Sequence, residues 1–289
     1  MTDIRAGFLA PSGWDQNIIT GLLDGTWYPH GLDIQPMAGY PNNVDGCCLV
    51  LPGKYWHDQY DQINEALARY DWVLAFRTSD EEDWFDIHRV EHPNLRWWVQ
   101  YSRTDRDYGE ARLMPVGFTP HFNSLPADPP HKDLDVALSA QCTHVRRKEA
   151  FAALERIQST NTHIQPTDGF TQGLAAPEYV EMMLRAKIAP APSGAFSPDS
   201  FRVWEALESH AVPIADDISP VYPSRGYWQR LFPGDPFPVL TDYESLPGYV
   251  GGLLSDWPRY ANRMVAWWMR AKRDTAHALR ADLEELGAL

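Results

Sequence analysis

Two short runs, Cys47-Cys48-Leu49-Val50-Leu51 and Trp72-Val73-Leu74-Ala75-Phe76, are apolar at every position. Between them Ile63, Ala66, Leu67 and Tyr70 recur at a helical period. A strand with no polar face must be covered on both sides, which is the condition of strands in parallel sheets flanked by helices. That pattern constrains the chain more than any other feature. It predicts strand, helix, strand in right-handed succession, and excludes all-α and antiparallel sandwich folds.

The same alternation runs through the rest of the chain. Residues 4–10 read as a strand ending at Pro11-Ser12-Gly13-Trp14, and Asn17 reads as the cap of a short helix over 18–23. Residues 95–101 and 112–118 are further strand candidates. Residues 27–43, rich in Pro, Gly and aromatics, read as a loop that could wall an acceptor site. Residues 120–132 are Pro-rich and aperiodic, and are expected to link two domains. Beyond them come strands at 135–138 and 162–166, helices at 146–157 and 176–186, and a strand entering Ser193-Gly194. A last strand at 237–240 precedes a helix over 255–285, bent near Pro258. The expected fold is α/β, with two Rossmann-like lobes and a cleft between them. The expected domains are residues 1–120 and 121–260, followed by a C-terminal helix at 261–289. No G-x-G-x-x-G or P-loop pattern occurs, which speaks against a P-loop phosphoryl-transfer enzyme.

Composition narrows the function classes. With 39 acidic against 25 basic residues the net charge is −14, which opposes non-specific binding to nucleic acid or anionic membrane. No apolar run has membrane-spanning length and the opening residues lack a signal-peptide pattern, so no membrane partner is expected. Three cysteines without metal-ligand spacing read as reduced thiols of a cytoplasmic protein.

The densest chemistry lies at Ser197-Pro198-Asp199-Ser200-Phe201-Arg202-Val203-Trp204-Glu205, followed by Val212-Pro213-Ile214. Ser197, Asp199 and Ser200 precede a helical period as capping residues do. A helix start presents unbonded N–H groups and attracts anions. Arg202 in the first turn conflicts with the helix dipole unless an anion sits there. Glu205 lies roughly 7–8 Å along the axis from Ser200, about the span from a diphosphate to a ribose. Loop amides, Ser200 and Arg202 would hold phosphates, and Glu205 would accept from ribose hydroxyls. These residues equally allow an ordinary amphipathic helix with an Arg202–Glu205 surface pair worth about 0.2–0.5 kcal/mol.

This stretch resembles the nucleotide-sugar signature of exostosin-like glycosyltransferases, in which a serine–arginine helix start leads to Glu-Ala and then a small-residue Val-Pro strand. The broader GT-B class has a related pattern with a second glutamate upstream, where this chain has Ser197. The family often has glycine and cysteine where His210 and Ala211 stand. The resemblance implies a GT-B arrangement with the donor on the second lobe. It is closest to short stand-alone bacterial and phage members. It implies transfer of a sugar from a nucleotide diphosphate, UDP first, to an acceptor hydroxyl, with inversion. The acceptor would be a glycan or a hydroxymethylated pyrimidine in phage DNA.

Donor contacts are then expected from Ser197, Ser200, Phe201, Arg202 and Glu205, and from the loop after the first strand of the second lobe. That loop offers Thr143, His144, Arg146 and Arg147, which alternatively form a solvated basic helix start. Acceptor contacts are expected from Ser12 and Trp14. Asp80 is the expected general base, with Glu81 beside it, in an acidic turn that could also be merely solvated. No metal and no cofactor is expected, because a helix dipole and arginines can neutralise the leaving diphosphate. Asp216 is read as a cap or donor contact, or as surface loop. The stretch 96–112 interleaves arginines with aromatics, but Asp105, Asp107 and Glu110 nearly cancel its charge. A non-catalytic sugar- or nucleotide-binding module is the alternative from another class.

Overall fold

The computed structural model describes residues 4–9, 13–126, 131–158, 161–169, 172–234 and 236–289. The chain divides into two units, residues 1–116 with 270–289, and residues 117–269.

In the first unit the strands are β1 (Ile4–Phe8), β2 (Ile34–Ala38), β3 (Gly46–Pro52), β4 (Trp72–Thr78), β5 (Leu95–Val99) and β6 (Arg112–Leu113). They form one parallel sheet in the order β2-β1-β3-β4-β5-β6. Helices α1 (Asn17–Leu23), α2 (Gly53–Trp56) and α3 (Tyr60–Leu67) connect the early strands. Successive residues of a strand face opposite sides, so the apolar runs feed two cores. Cys48, Val50, Leu74 and Phe76 pack with Ile18, Ile19 and Leu22 of α1 on one face. Cys47, Leu49, Leu51, Val73 and Ala75 pack with Tyr60, Ile63 and Leu67 of α3 on the other. Burial pushes the Cys47 thiol up to about 12, which keeps it inert.

The second unit's sheet contains β7 (Leu134–Gln141), β8 (Thr162–Thr167), β9 (Ala186–Ala191), β10 (Val212–Asp216) and β11 (Val239–Leu240). Its order is β11-β10-β9-β7-β8, again all parallel. The helices are α4 (Val145–Leu154), α5 (Ala176–Arg185), α6 (Phe201–Glu208), α7 (Tyr227–Leu231), α8 (Leu246–Ser255) and α9 (Trp257–Glu285). Much of the tryptophan is core material here. Trp204 lies 5.9 Å from Trp228, 5.4 Å from Trp268 and 5.7 Å from Phe232, ring centre to ring centre. Trp14 and Trp84 are the exposed indoles.

Several expectations change. Residues 27–43 contain the strand β2, whose Pro36 is tolerated because β2 is an edge strand. The boundary between units falls at 116/117, ahead of the Pro-rich stretch, and Phe122 is buried in the second unit. The C-terminal segment is not a separate element. From residue 270 it belongs to the first unit, because Ala276, Leu279, Leu283 and Leu286 complete the core under β1, β3 and β4. Asp282 locks it there, accepting from Trp98 Nε1 at 2.7 Å and from both arms of Arg112 at 2.7 Å. The bend expected near Pro258 is a break at Asp256, between α8 and α9.

Lys132, expected in a linker, is buried, and its ammonium donates to the Ser209 carbonyl. Burial lowers its amine from 10.5 to about 7. Between those values the unfolded chain holds a proton on Lys132 that the native state lacks. Stability therefore rises with pH from about 7 to about 10.5 on account of this group. Urea titrations at several pH values should show that rise flattened in Lys132→Met. Parallel pH profiles for the two proteins would refute the assignment.

Candidate functional site

In a parallel sheet the loops leaving the strands' C-terminal ends share one edge, where open α/β domains bind ligands. In the second unit that edge gathers the loop after β7 (Cys142, Thr143, His144), the loop after β9 (192–200) and the start of α6.

Ser200 takes the N-cap position with extended backbone (φ −149°, ψ 149°), yet its side chain caps nothing. Its Oγ is buried without a hydrogen-bond partner. So is the Oγ of Ser193, and the His144 ring is enclosed against the Ser193 backbone. Unpaired buried polar atoms are costly, about 1–3 kcal/mol each, and their gathering at one place calls for a partner. Arg147 reaches the same place, donating to the Ser193 carbonyl at 3.2 Å and the Gln141 carbonyl at 3.4 Å. Burial, with Arg147 beside it, lowers the His144 imidazole to about 4, so the ring is neutral at physiological pH. Arg202 donates from Nε and an η nitrogen to the Ser139 carbonyl, both at 3.3 Å. Gly194 makes the tight loop feasible: a Cβ there would stand 2.8 Å from the Asp199 carbonyl oxygen.

Other expected donor residues have different employment. Ser197 Oγ accepts from the Asp199 N–H at 3.1 Å and is fully buried, so it shapes the loop. Arg146 is committed to Asp216 through two bonds of 3.0 and 2.7 Å, and its guanidinium stacks 4.6 Å from the Tyr243 ring centre. Within the second unit this pair already occupies the Arg146 guanidinium and the Asp216 carboxylate. Glu205 is buried, accepting from Thr119 Oγ1 at 2.9 Å and Tyr179 OH at 2.8 Å. Burial raises its carboxyl above the ordinary value, while Arg202 works against that. Its oxygens are thus already bonded to protein hydroxyls where ribose hydroxyls were expected. Thr143 is exposed at the loop tip, and Phe201 opens α6.

In the first unit the corresponding edge carries the acidic turn after β4. Asp80 is fully buried, accepting from the backbone N–H groups of Trp84 and Phe85, both at 3.0 Å. Arg77 lies 3.5 Å away, and a Cβ on Gly53 would stand 2.9 Å from Asp80 Oδ2. The Asp80 carboxylate thus organises its own turn through these contacts. Glu81 is partly exposed on the same turn. The residue that sequence reasoning passed over is Asp15, in the 3-10 turn Trp14–Gln16 after β1. It is half-buried beside Ser79, and burial raises its carboxyl above the ordinary value although the Ser79 hydroxyl bonds to it. The signal was available, since Asp15 follows Trp14 in the first strand-to-helix turn. Trp14 is 37% exposed, while Ser12 lies outside the described residues. Nearby, His57, Asp83, Trp84 and Arg106 line a pocket of about 390 Å³.

Two units, each a parallel sheet flanked by helices, make the two-lobe α/β fold of the GT-B glycosyltransferases. Among solved structures, the chain is similar to T4 phage BGT in complex with UDP and Mn2+, with TM-score 0.50 and 10% identity, over 99% of this chain and 99% of that one. It also aligns with Anabaena HepE in complex with UDP, with TM-score 0.49 and 9% identity, over 100% of both chains. At these identities the likeness is one of fold. Neither a protein-family model nor a curated protein matches the sequence. Among the described residues, no helix is long and apolar enough to cross a membrane.

Proposed function

We propose that this protein is a glycosyltransferase that takes a nucleotide-diphosphate sugar, UDP-linked in the first instance, as donor. The observation that carries the reading is the pair of unpartnered buried hydroxyls at the start of α6, Ser193 Oγ and Ser200 Oγ, with the His144 ring, Arg147 and Arg202 alongside. A diphosphate supplies acceptors for the hydroxyls, for the first N–H groups of α6 and for the guanidinium groups. It would also answer the placement of Arg202 in the first turn. The donor contacts proposed are therefore Ser193, Ser200, His144, Arg147 and Arg202, with Thr143 and Phe201 at the margin.

Transfer forms a bond from the acceptor oxygen to the anomeric carbon. The bond from that carbon to the diphosphate breaks, and the nucleoside diphosphate leaves with the electron pair. The acceptor's hydroxyl proton passes to a carboxylate. Asp15 and Glu81 are the first-unit carboxylates proposed for that step, with Trp14 as an acceptor contact. The mechanism is proposed to invert and to run without an essential metal, the two arginines and the helix dipole carrying the leaving charge. The acceptor is proposed to be a glycan hydroxyl or a hydroxymethylated pyrimidine in phage DNA. The likeness to a phage protein solved with UDP supports the donor class, and the acidic net charge weighs toward the glycan.

Ser200→Ala tests the reading with two signs at once. The substitution deletes an unsatisfied hydroxyl and loses no cap bond, so the ligand-free protein should keep its stability or gain about 1 kcal/mol. Affinity for UDP should fall about ten- to a hundredfold, since one hydrogen bond to a charged group is worth about 1.5–3 kcal/mol. Calorimetric titration of UDP and UDP-sugars measures the second, and urea unfolding the first. Absence of UDP binding, or a variant that loses stability while keeping its affinity, would sink the proposal.

A further inference from the structure

The second unit holds another cavity, at the opposite edge of its sheet from the α6 cradle. Its lining comes from residues that lead into the strands: His131, Lys132 and Asp133 before β7, Asn161 before β8, Lys187 at the start of β9 and His210 before β10. Because these strands are all parallel, the positions share the N-terminal edge. The first turns of α9, with Trp257 and Asn262, close the side, and the volume is about 660 Å³.

The charges in this cavity do not balance. Asp133 is held by both arms of Arg185, at 2.8 and 2.7 Å, and Lys187 is paired with Asp135 at 2.7 Å. Lys132 is left with a carbonyl as its hydrogen-bond partner, and among the described residues no carboxylate forms an ion pair with it. Two of its ammonium hydrogens remain for another acceptor. His131 and His210 add two imidazoles. His210 also stands at φ +57°, a backbone region where glycine is unstrained and a residue with a Cβ is not. That conformation is the left-handed turn that closes α6, with the Ala211 N–H bonded back to the Ala206 carbonyl at 2.8 Å, and it sets the imidazole on the cavity wall. In a chain of net charge −14, this is an uncompensated cationic recess.

We propose that this cavity binds a phosphate group, held by the Lys132 ammonium and the His210 imidazole, at a site separate from the α6 cradle. A phosphate there supplies the counter-charge that Lys132 lacks and opposes the desolvation that lowers its amine. Asn161 and Asn262 carry amide donors that can complete the oxygen shell. Free phosphate and the end of a phosphorylated sugar present the same oxygens, and the cavity has room for either.

The test is calorimetric titration with inorganic phosphate and with a hexose 6-phosphate, at pH 7 and constant ionic strength in chloride. Wild type should bind, with proton uptake seen as a dependence of the heat on buffer ionisation enthalpy. Lys132→Met should weaken binding at least tenfold and reduce the proton uptake to what phosphate's own second ionisation contributes. His210→Gly, which relaxes the backbone, should weaken it about fivefold and carries the test should Lys132→Met fail to fold. Arg147→Met should leave it unchanged. Tenfold tighter binding of the hexose phosphate identifies a phosphorylated sugar as the occupant, and equal affinities identify free phosphate. Binding that survives in Lys132→Met but disappears in Arg147→Met places the phosphate in the α6 cradle and overturns the proposal. So does absence of binding to wild type.

Discussion

Arg77→Met should destabilise the first unit by about 3–5 kcal/mol, a large part of the roughly 5–15 kcal/mol that holds a domain together. Arg77 is the penultimate residue of β4, a central strand, and is wholly buried. One arm of its guanidinium pairs with Asp83 and donates to the Phe85 carbonyl at 3.1 Å, and the other donates to the Gln100 carbonyl at 2.9 Å. Asp80 lies 3.5 Å away, and the Tyr108 ring centre is 5.2 Å from the guanidinium carbon. Methionine fills much of the volume and supplies no donor. Two buried carboxylates and two carbonyls would lose a shared partner; Asp83 would keep Arg106 at 3.1 Å and Asp80 its two backbone N–H donors, but removing the buried member of such a network costs more than the intact pair contributes. Asp83→Asn, which keeps a hydrogen-bond acceptor and retains the cation, should cost less, about 1–3 kcal/mol. The double variant should recover part of the loss, because it removes both the cation and one of the two buried anions it faced. Urea unfolding of the four proteins measures this cycle. A loss below 1 kcal/mol in Arg77→Met would mean that the turn relaxes and lets water reach the carboxylates.

The strands that bind the two cores were readable because they are apolar at consecutive positions, as at Cys47 to Leu51. β2 was not, because an edge strand with Gln35, Pro36 and an exposed outer face carries the composition of a loop. α8 escaped for a different reason: Pro247, Gly248, Gly251 and Gly252 leave no polar face to set a period. The period of α9 announced a helix but could not say which core its apolar face covers. The answer, the core beneath β1, lies at a sequence separation that no local pattern records. At the candidate site the limits were electrostatic. Arg146 and Arg147 are adjacent and chemically identical, and only the position of Asp216 on a distant strand decides that the first is used up. Asp80 read as an exposed acid because it follows a strand's end. The structure instead turns it inward onto two backbone N–H groups, a local hydrogen bond of the kind acidic residues often make in turns. Ser200 was correctly placed at the start of α6, but its lack of a capping bond, which makes it interesting, is visible only in coordinates.

Asp15→Asn should lower the turnover number by about 10²–10⁴-fold while leaving the affinity for UDP unchanged. A general base must be ionised at the working pH yet basic enough to take a proton, and partial burial moves a carboxyl toward that balance. At the sheet edge Asp15 is shifted in that direction. Burial raises its carboxyl above the ordinary value, and the Ser79 hydroxyl orients it. The raised value sets the sign of the pH dependence. Turnover should climb as pH rises through the Asp15 ionisation, and this acid limb should vanish in the asparagine variant. Asp80→Asn should instead show up as a loss of stability, since its carboxylate holds the turn through Trp84 and Phe85, with little change in the acid limb of the folded fraction. Glu81→Gln discriminates within the turn. If it abolishes turnover while Asp15→Asn retains full rate and an intact acid limb, the proton goes to Glu81 and the Asp15 assignment fails. If both variants turn over at the wild-type rate, the base is neither residue, and the α6 cradle then stands as a binding site whose chemistry must be sought elsewhere.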